Sequence, residues 1–196
     1  MKFKKLFAGV AAAATLLAGM AFGTGAANAA ETTVDTAATV TFKASKEKQL
    51  TSAQLSAYKI ADYVNYGTAK TPVYGVKTAA GANRTKLAAA LTTAGFQNVP
   101  IDGTTDLMAW AMNQKTTTDT DGTVTQVQFD QSETRPWNNP SVTRKFADAL
   151  QAGNPFTATA DPFVLNTATG NDTDGWTATN KTALTAGVYL FLDGNA

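Results

Sequence analysis

Apolar positions recur along the chain with two different periods, and the change of period divides it. Residues 39–43, Thr-Val-Thr-Phe-Lys, alternate polar and apolar among β-favouring types and predict a half-buried strand with Val40 and Phe42 inward. After a charged, turn-like stretch at 45–49, residues 55–66 (LSAYKIADYVNY) are dense in aromatic and branched side chains. They predict a longer strand, on which strict alternation puts Tyr58, Ile60, Asp62 and Val64 on one face. Residues 67–72 break it, and 73–76 predict a short further strand.

The middle of the chain switches to helical spacing. Asn83 is placed to cap a helix from Arg84 to about Ala94, with Leu87, Ala90, Leu91 and Ala94 on one face and Gly95 as its stop. Thr104 or Thr105 caps a second, in which Leu107, Met108, Ala111 and Met112 cluster beside Trp110. Ser141, after Pro140, caps a third, where Val142, Phe146, Ala149 and Leu150 share a face and Gly153 ends the run. Between these, 116–122 is a Thr- and Asp-rich loop, and 123–129 alternates cleanly as a strand of a two-sided sheet or a hairpin arm. Residues 162–165 predict a strand, 166–180 a turn-rich connection, and 184–193, an apolar run around Gly187, a core strand. Strands at both ends with helices between them predict a mainly β (α+β) domain, a β-sandwich carrying short helical insertions.

The first thirty residues follow neither period. Lys2, Lys4 and Lys5 precede an uncharged apolar run from Leu6 to Phe22, and Ala27, Ala29 and Ala30 supply the small residues of a cleavage site. This order is that of an export signal, with cleavage after Ala29, no twin arginine, and a mature chain of 196 − 29 = 167 residues. A transmembrane anchor is the competing reading, but the run is dominated by Ala and Gly and is followed by the cleavage motif. Residues 30–38 then form a polar, flexible lead-in, and 39–196 the domain proper.

Composition narrows the chemistry. The chain has no Cys and no His, which removes thiol catalysis, disulfides, zinc on thiolate or imidazole, and every triad with an imidazole base. Removing the three signal lysines from 16 basic residues leaves 13 against 15 acidic, a net charge of about −2 and no basic footprint for nucleic acid. Asp119-Thr120-Asp121-Gly122 and Asp172-Thr173-Asp174-Gly175 resemble calcium loops, yet the twelve-residue template would begin at Thr117 or Gly170 and end at Gln128 or Lys181, where a bidentate Glu is required. Both read as solvated turns. No metal and no cofactor is expected. Trp110 sits on a helical apolar face and reads as core, whereas Trp137 and Trp176 fall in loops and are candidate sugar-stacking aromatics. The sequons at Asn83, Asn171 and Asn180 carry no weight in a bacterial export context. An exported carboxylate hydrolase has nothing specific in its favour.

Four segments, taken in order and spacing, carry a resemblance: Ala57-Tyr58-Lys59-Ile60-Ala61-Asp62-Tyr63, Leu87-Ala88-Ala89-Ala90-Leu91, Phe146-Ala147-Asp148-Ala149-Leu150, and residues 184–193, LTAGVYLFLD. Together with the export signal, they resemble the N-terminal domain of Gram-positive, sortase-assembled fimbrial shaft proteins, the isopeptide-forming pilins, over about residues 40–193. The resemblance implies an immunoglobulin-like β-sandwich and a non-enzymatic, structural and adhesive role at the cell surface. It also implies subunits joined covalently by a sortase into a cell-wall-anchored fimbria, with a host-surface protein or glycan as a possible target. It further implies Lys-to-Asn amide bonds formed beside an Asp or Glu, a pilin-motif Lys and an LPxTG sorting signal. The last two do not occur in this sequence, which therefore reads as a fragment of a longer subunit. For an internal amide the strand residues Lys43 and Lys59, with Asp62 or Asp193 as the acid, are the candidates, although both lysines alternate out of phase with their buried neighbours and read as solvent-facing. The other class of function open to the sequence is a secreted or wall-associated carbohydrate-binding module using Trp137 and Trp176.

Overall fold

The computed structural model describes residues 32–34, 37–129, 141–153, 156 and 162–194. The elements run β1 (Thr32–Thr33), β2 (Ala37–Ala38), β3 (Thr41–Ala44), α1 (Glu47–Thr51), β4 (Leu55–Asn65), β5 (Tyr74–Thr78), α2 (Arg84–Ala94) and α3 (Leu107–Met112). They continue as β6 (Thr117–Thr118), β7 (Val124–Gln126), α4 (Val142–Gly153), β8 (Pro162–Phe163), β9 (Thr169–Asn171), β10 (Gly175–Thr179), β11 (Leu184–Thr185) and β12 (Gly187–Asp193). The protein is thus mainly β with some helices. Residues 1–31, with Ala27, Ala29 and Ala30 of the expected cleavage site, and Trp137 lie outside the described residues.

Strand β4 is the axis of the molecule. On one side it pairs antiparallel with β12 and, beyond the start of β12, with β1; on the other it pairs with β5 and β8. A smaller sheet, in the order β3-β10-β9, and two short pairs, β11-β2 and β6-β7, complete the β structure. The central sheet is covered on both faces. Tyr58, Ile60, Tyr63, Val188 and Leu190 face α2, α3 and α4, whose Leu87, Leu91, Leu107, Met108, Phe146 and Leu150 complete one core. Leu55, Tyr189 and Phe191 face the other way, where Phe42 of β3 closes on them. Phe42, Phe163 and Phe191 form a three-ring contact with centroids 4.8 to 5.8 Å apart, the favoured tilted and edge-on range for aromatic pairs.

Burial on both faces explains the unbroken apolar run of β12, since a strand with no solvent face has no polar phase. Helices α2, α3 and α4 pack as a layer over one face of the central sheet, while α1 lies against the smaller sheet. Helix α2 begins and ends where its residues dictate: Asn83 Oδ1 accepts from the Lys86 N–H, Gly95 takes φ +109°, and the Phe96 N–H returns to the Leu91 carbonyl. Helix α4 is capped by Ser141, whose Oγ accepts from the Arg144 N–H at 3.1 Å. Its buried line is Thr143, Phe146, Ala147 and Leu150, so Val142 and Ala149 sit at the margin instead.

Several expectations are corrected. Helix α3 has only six residues, and its cap is Asp106 rather than Thr104 or Thr105. Asp106 also accepts from the Thr78 N–H and hydroxyl while Thr78 Oγ1 accepts from the Met108 N–H, so the end of β5 and the start of α3 satisfy each other. Residues 45–49 are not a plain turn: the Gln49 side chain reaches back to accept the Lys46 N–H and opens α1. Residues 166–180 contain the β9-β10 hairpin, because Thr177 and Thr179 alternate with Trp176 and Ala178, and Asn171 and Gly175 supply the turn. Residues 32–34 and 37–38 are paired to β4 and β11 rather than being a free lead-in.

The face assignment of β4 is also corrected. Between Tyr58 and Ala61 the register against β12 slips by one, so Val188 faces Ala61 while Tyr189 faces Lys59. This β-bulge returns Ala61 and Tyr63 to the helical face beside Ile60, and turns Asp62 and Val64 away from it.

Candidate functional site

The bulge gathers a group of polar side chains on the strands. In an uninterrupted strand, residues 59 and 62 project to opposite faces; with one extra residue between them they project to the same face. Lys59 Nζ meets Asp62 Oδ1 at 2.5 Å, with both side chains about three-quarters buried, at 25% and 29% exposure. The ammonium also donates to Thr185 Oγ1 at 2.8 Å and lies 5.8 Å from the centre of the Tyr189 ring. The Tyr189 hydroxyl donates to the Thr185 carbonyl at 2.9 Å. Gly187 is required beside this group, because a Cβ there would stand 2.5 Å from the Ala61 carbonyl oxygen and 2.7 Å from Lys59 Cε.

Of the four residues expected for amide chemistry, the structure brings together two. Lys43 is exposed on β3, opposite Thr177 of β10. Asp193 closes β12, where its Oδ1 accepts from the Gln54 N–H at 3.0 Å. Lys59 and Asp62 are in direct contact, but the hydrogen bonds of Lys59 go to a carboxylate and a hydroxyl, and among the described residues none reaches an Asn side chain. The Lys59 head group is thus engaged by a carboxylate, a hydroxyl and a ring face rather than set against an amide carbon. The arrangement does something else chemically: it ties the β4 bulge to β11 and the start of β12.

The acidic turns use their side chains locally. Asp121 accepts from the Thr123 N–H, which holds its carboxyl below the usual carboxylate range. Asp172 is lowered first by Lys46, at 2.6 Å, and then by the Trp176 indole N–H, at 2.9 Å. Asn171 Oδ1 takes the N–H groups of Thr173 and Asp174. Among the described residues no group of three acidic side chains is gathered to hold a metal.

Trp176 stands in β10, not in a loop; its half-buried ring packs beside Leu50, Ala168 and Ala178 while its N–H is given to Asp172. Trp110 is half-buried against Phe96, with centroids 6.0 Å apart. The sequon asparagines are structural: Asn83 caps α2, Asn171 closes the hairpin turn, and Asn180 bridges Val40, Ala38 and Thr182.

Sequence reading missed an open groove of about 410 Å³ between α2 and the following loop, lined by Ala88, Thr92, Phe96, Val99, Pro100 and Ile101. Ile101 is 91% exposed. Asp102 fixes this loop by accepting from Thr104 and Thr105, and Arg84 donates to the Thr105 carbonyl at 2.7 Å. These bonds, the Thr105 N–H first, hold the Asp102 carboxyl well below its ordinary range. The run Val99-Pro100-Ile101 in an otherwise polar connection was the signal for it.

No protein-family profile, curated protein or solved structure matches this chain. No helix among the described residues is long and apolar enough to cross a membrane.

Proposed function

We propose that the chain is the exported N-terminal domain of a structural subunit of a Gram-positive, sortase-assembled cell-surface fimbria, non-enzymatic and acting in pilus assembly and cell adhesion. Its partners are then other pilin subunits, joined covalently, and a host-surface protein or glycan. The observation that supports this reading is convergence. The four segments that carry the resemblance are separated by long stretches of chain, yet residues 57–62 of the first pair with 187–191 of the last as β4 and β12, and 87–91 and 146–150 pack together above them in α2 and α4. Order and spacing in sequence thus correspond to one continuous core. The finer fold assignment, an immunoglobulin-like sandwich, is part of the same proposal; the packing of the β3-β10-β9 sheet against β4 and β12 favours it. The glycan-binding alternative draws little from Trp176, whose N–H and ring are already engaged.

The test is covalent polymerisation on cells. Surface extracts boiled in detergent and probed with antibody against residues 32–194 should give a ladder of high-mass bands that collapses to one species when the sortase is inactivated. A single band in both cases overturns the reading.

A further inference from the structure

Strand β4 carries Tyr63 and its neighbour β5 carries Tyr74, and the register between them sets Tyr63 opposite Val76 and Tyr74 opposite Asn65. The two tyrosines are therefore diagonal neighbours on one face of the sheet, a spacing that aromatic side chains can bridge. Their rings do bridge it: the centroids lie 5.3 Å apart with 14° between the ring planes, an offset stack. Burial first, and then the neighbouring Tyr74, raises the Tyr63 phenol, so the two hydroxyl ends sit close together.

The pair differs from the other tyrosines. The Tyr63 hydroxyl has no hydrogen-bond partner among the described residues, although the residue is only 8% exposed. Tyr66 donates its hydroxyl to the Val76 carbonyl, Tyr189 donates to the Thr185 carbonyl, and Tyr58 stacks on Phe156. The chain also has no Cys, hence no thiol to bridge strands or to quench a radical, and its tyrosines and tryptophans are the side chains left to give up single electrons.

We propose that Tyr63 and Tyr74 are an oxidative cross-linking site, whose rings couple to a dityrosine that joins β4 to β5 covalently when the chain meets hydrogen peroxide and a haem peroxidase. Two ring C–H bonds break, each beside a hydroxyl-bearing carbon, one C–C bond forms between the rings, and both hydroxyls are retained. The two electrons and two protons released reduce one peroxide to two waters. Tyr74, half-buried, is the ring that the oxidant reaches and the one whose proton escapes to solvent. Tyr63 is shielded from other molecules, so burial directs the coupling inward. Holding the rings in contact replaces an encounter between molecules by a step within one. This chemistry is independent of the fimbrial reading.

The test is oxidation of the full chain, at low concentration, with hydrogen peroxide and a haem peroxidase, followed by tryptic digestion and mass spectrometry. Cleavage after Lys59, Lys70 and Lys77 puts Tyr63 and Tyr74 on separate peptides, 60–70 and 71–77. The expected product is a monomer lighter by two hydrogen atoms, with dityrosine fluorescence, in which these two peptides stay joined. Tyr63→Phe and Tyr74→Phe, each keeping the parent's circular dichroism, should abolish the joined pair. Tyr66→Phe, which removes the other phenol of peptide 60–70, should retain it. A joined pair that survives Tyr63→Phe, coupling only between molecules, or oxidation confined to Trp and Met overturns the proposal.

Discussion

On one face of the central sheet Ile60, Val188 and Leu190 meet three helices; on the other, Leu55, Tyr189 and Phe191 meet a smaller sheet. The helical side is filled by leucines, methionine, alanines and Phe146, many of them without solvent contact. The sheet side is narrower, is filled by rings, and leaves Phe42 half-buried. The difference teaches where each kind of cohesion sits. Aliphatic interdigitation holds the sheet to the helices, while on the other face a few aromatic contacts and a polar staple align two sheets.

The largest test of that contrast is Phe146→Ala. It removes a ring at 1% exposure that touches Phe129 and the α2 line, and should cost about 3–5 kcal/mol by denaturant unfolding. On the opposite face Phe42→Ala should cost less, about 2 kcal/mol, since its ring is only half-buried and touches Phe163 and Phe191 from one side. If the two losses are equal, the contrast between the faces fails. Asp106→Ala should cost about 1–2 kcal/mol, because it uncaps α3 and leaves the Thr78 N–H at the sheet edge without its acceptor. Loss of far-ultraviolet helical signal beyond α3 would mean that the helical layer depends on this one joint.

Two smaller effects sharpen the picture. Among the described residues the buried Tyr63 hydroxyl has no hydrogen-bond partner, so Tyr63→Phe should leave stability unchanged or raise it by up to about 1 kcal/mol. Burial, and secondarily Tyr74, pushes the Tyr63 phenol above its ordinary 10.0. A raised value means that stability is complete below pH 10 and falls as the unfolded chain ionises above it. The wild type should therefore lose stability above about pH 10 more steeply than Tyr63→Phe. Asp102 works in the opposite sense. Its carboxyl is held low in the folded chain, so its contribution is present above the ordinary carboxylate range and is lost as pH falls below it. Thermal melts between pH 5 and pH 2 should show a smaller acid-induced decline in Asp102→Asn than in the wild type.

Local rules were sufficient where one segment decides its own shape. Asn83, the 87/90/91/94 spacing and Gly95 specify α2 to the residue, and Ser141 specifies the start of α4. They failed where a distant partner decides. The bulge in β4 arises from its register with β12, about 130 residues away, and no feature of LSAYKIADYVNY announces it. Hence the contact of Lys59 with Asp62 was invisible to an argument from alternation, which placed them on opposite faces. Asp106 does not stand out as a cap in the sequence, because its second role, accepting from Thr78, depends on the sheet edge. The β9-β10 hairpin was hidden by Thr, Asn and Gly, which read as turn composition until Thr177 and Thr179 are seen to alternate with buried Ala178. The same composition makes Trp176 read as a loop residue from sequence alone.

The pairing of β4 with β12 also sets a timetable. The axis of the molecule joins a strand near the beginning of the domain to the last strand described, so a ribosome releases β4 long before β12 exists. Helices α2 and α4 can form and meet earlier, but the sheet they cover cannot close until residues 187–193 are free. Closing so long a loop is entropically expensive and slow, and it places the whole domain among late, cooperative folders. Every nascent chain therefore carries β4 with its β12 edge open, even after β5 has paired along the other edge, and the interval before the final strand arrives is when this protein is most exposed to misassembly.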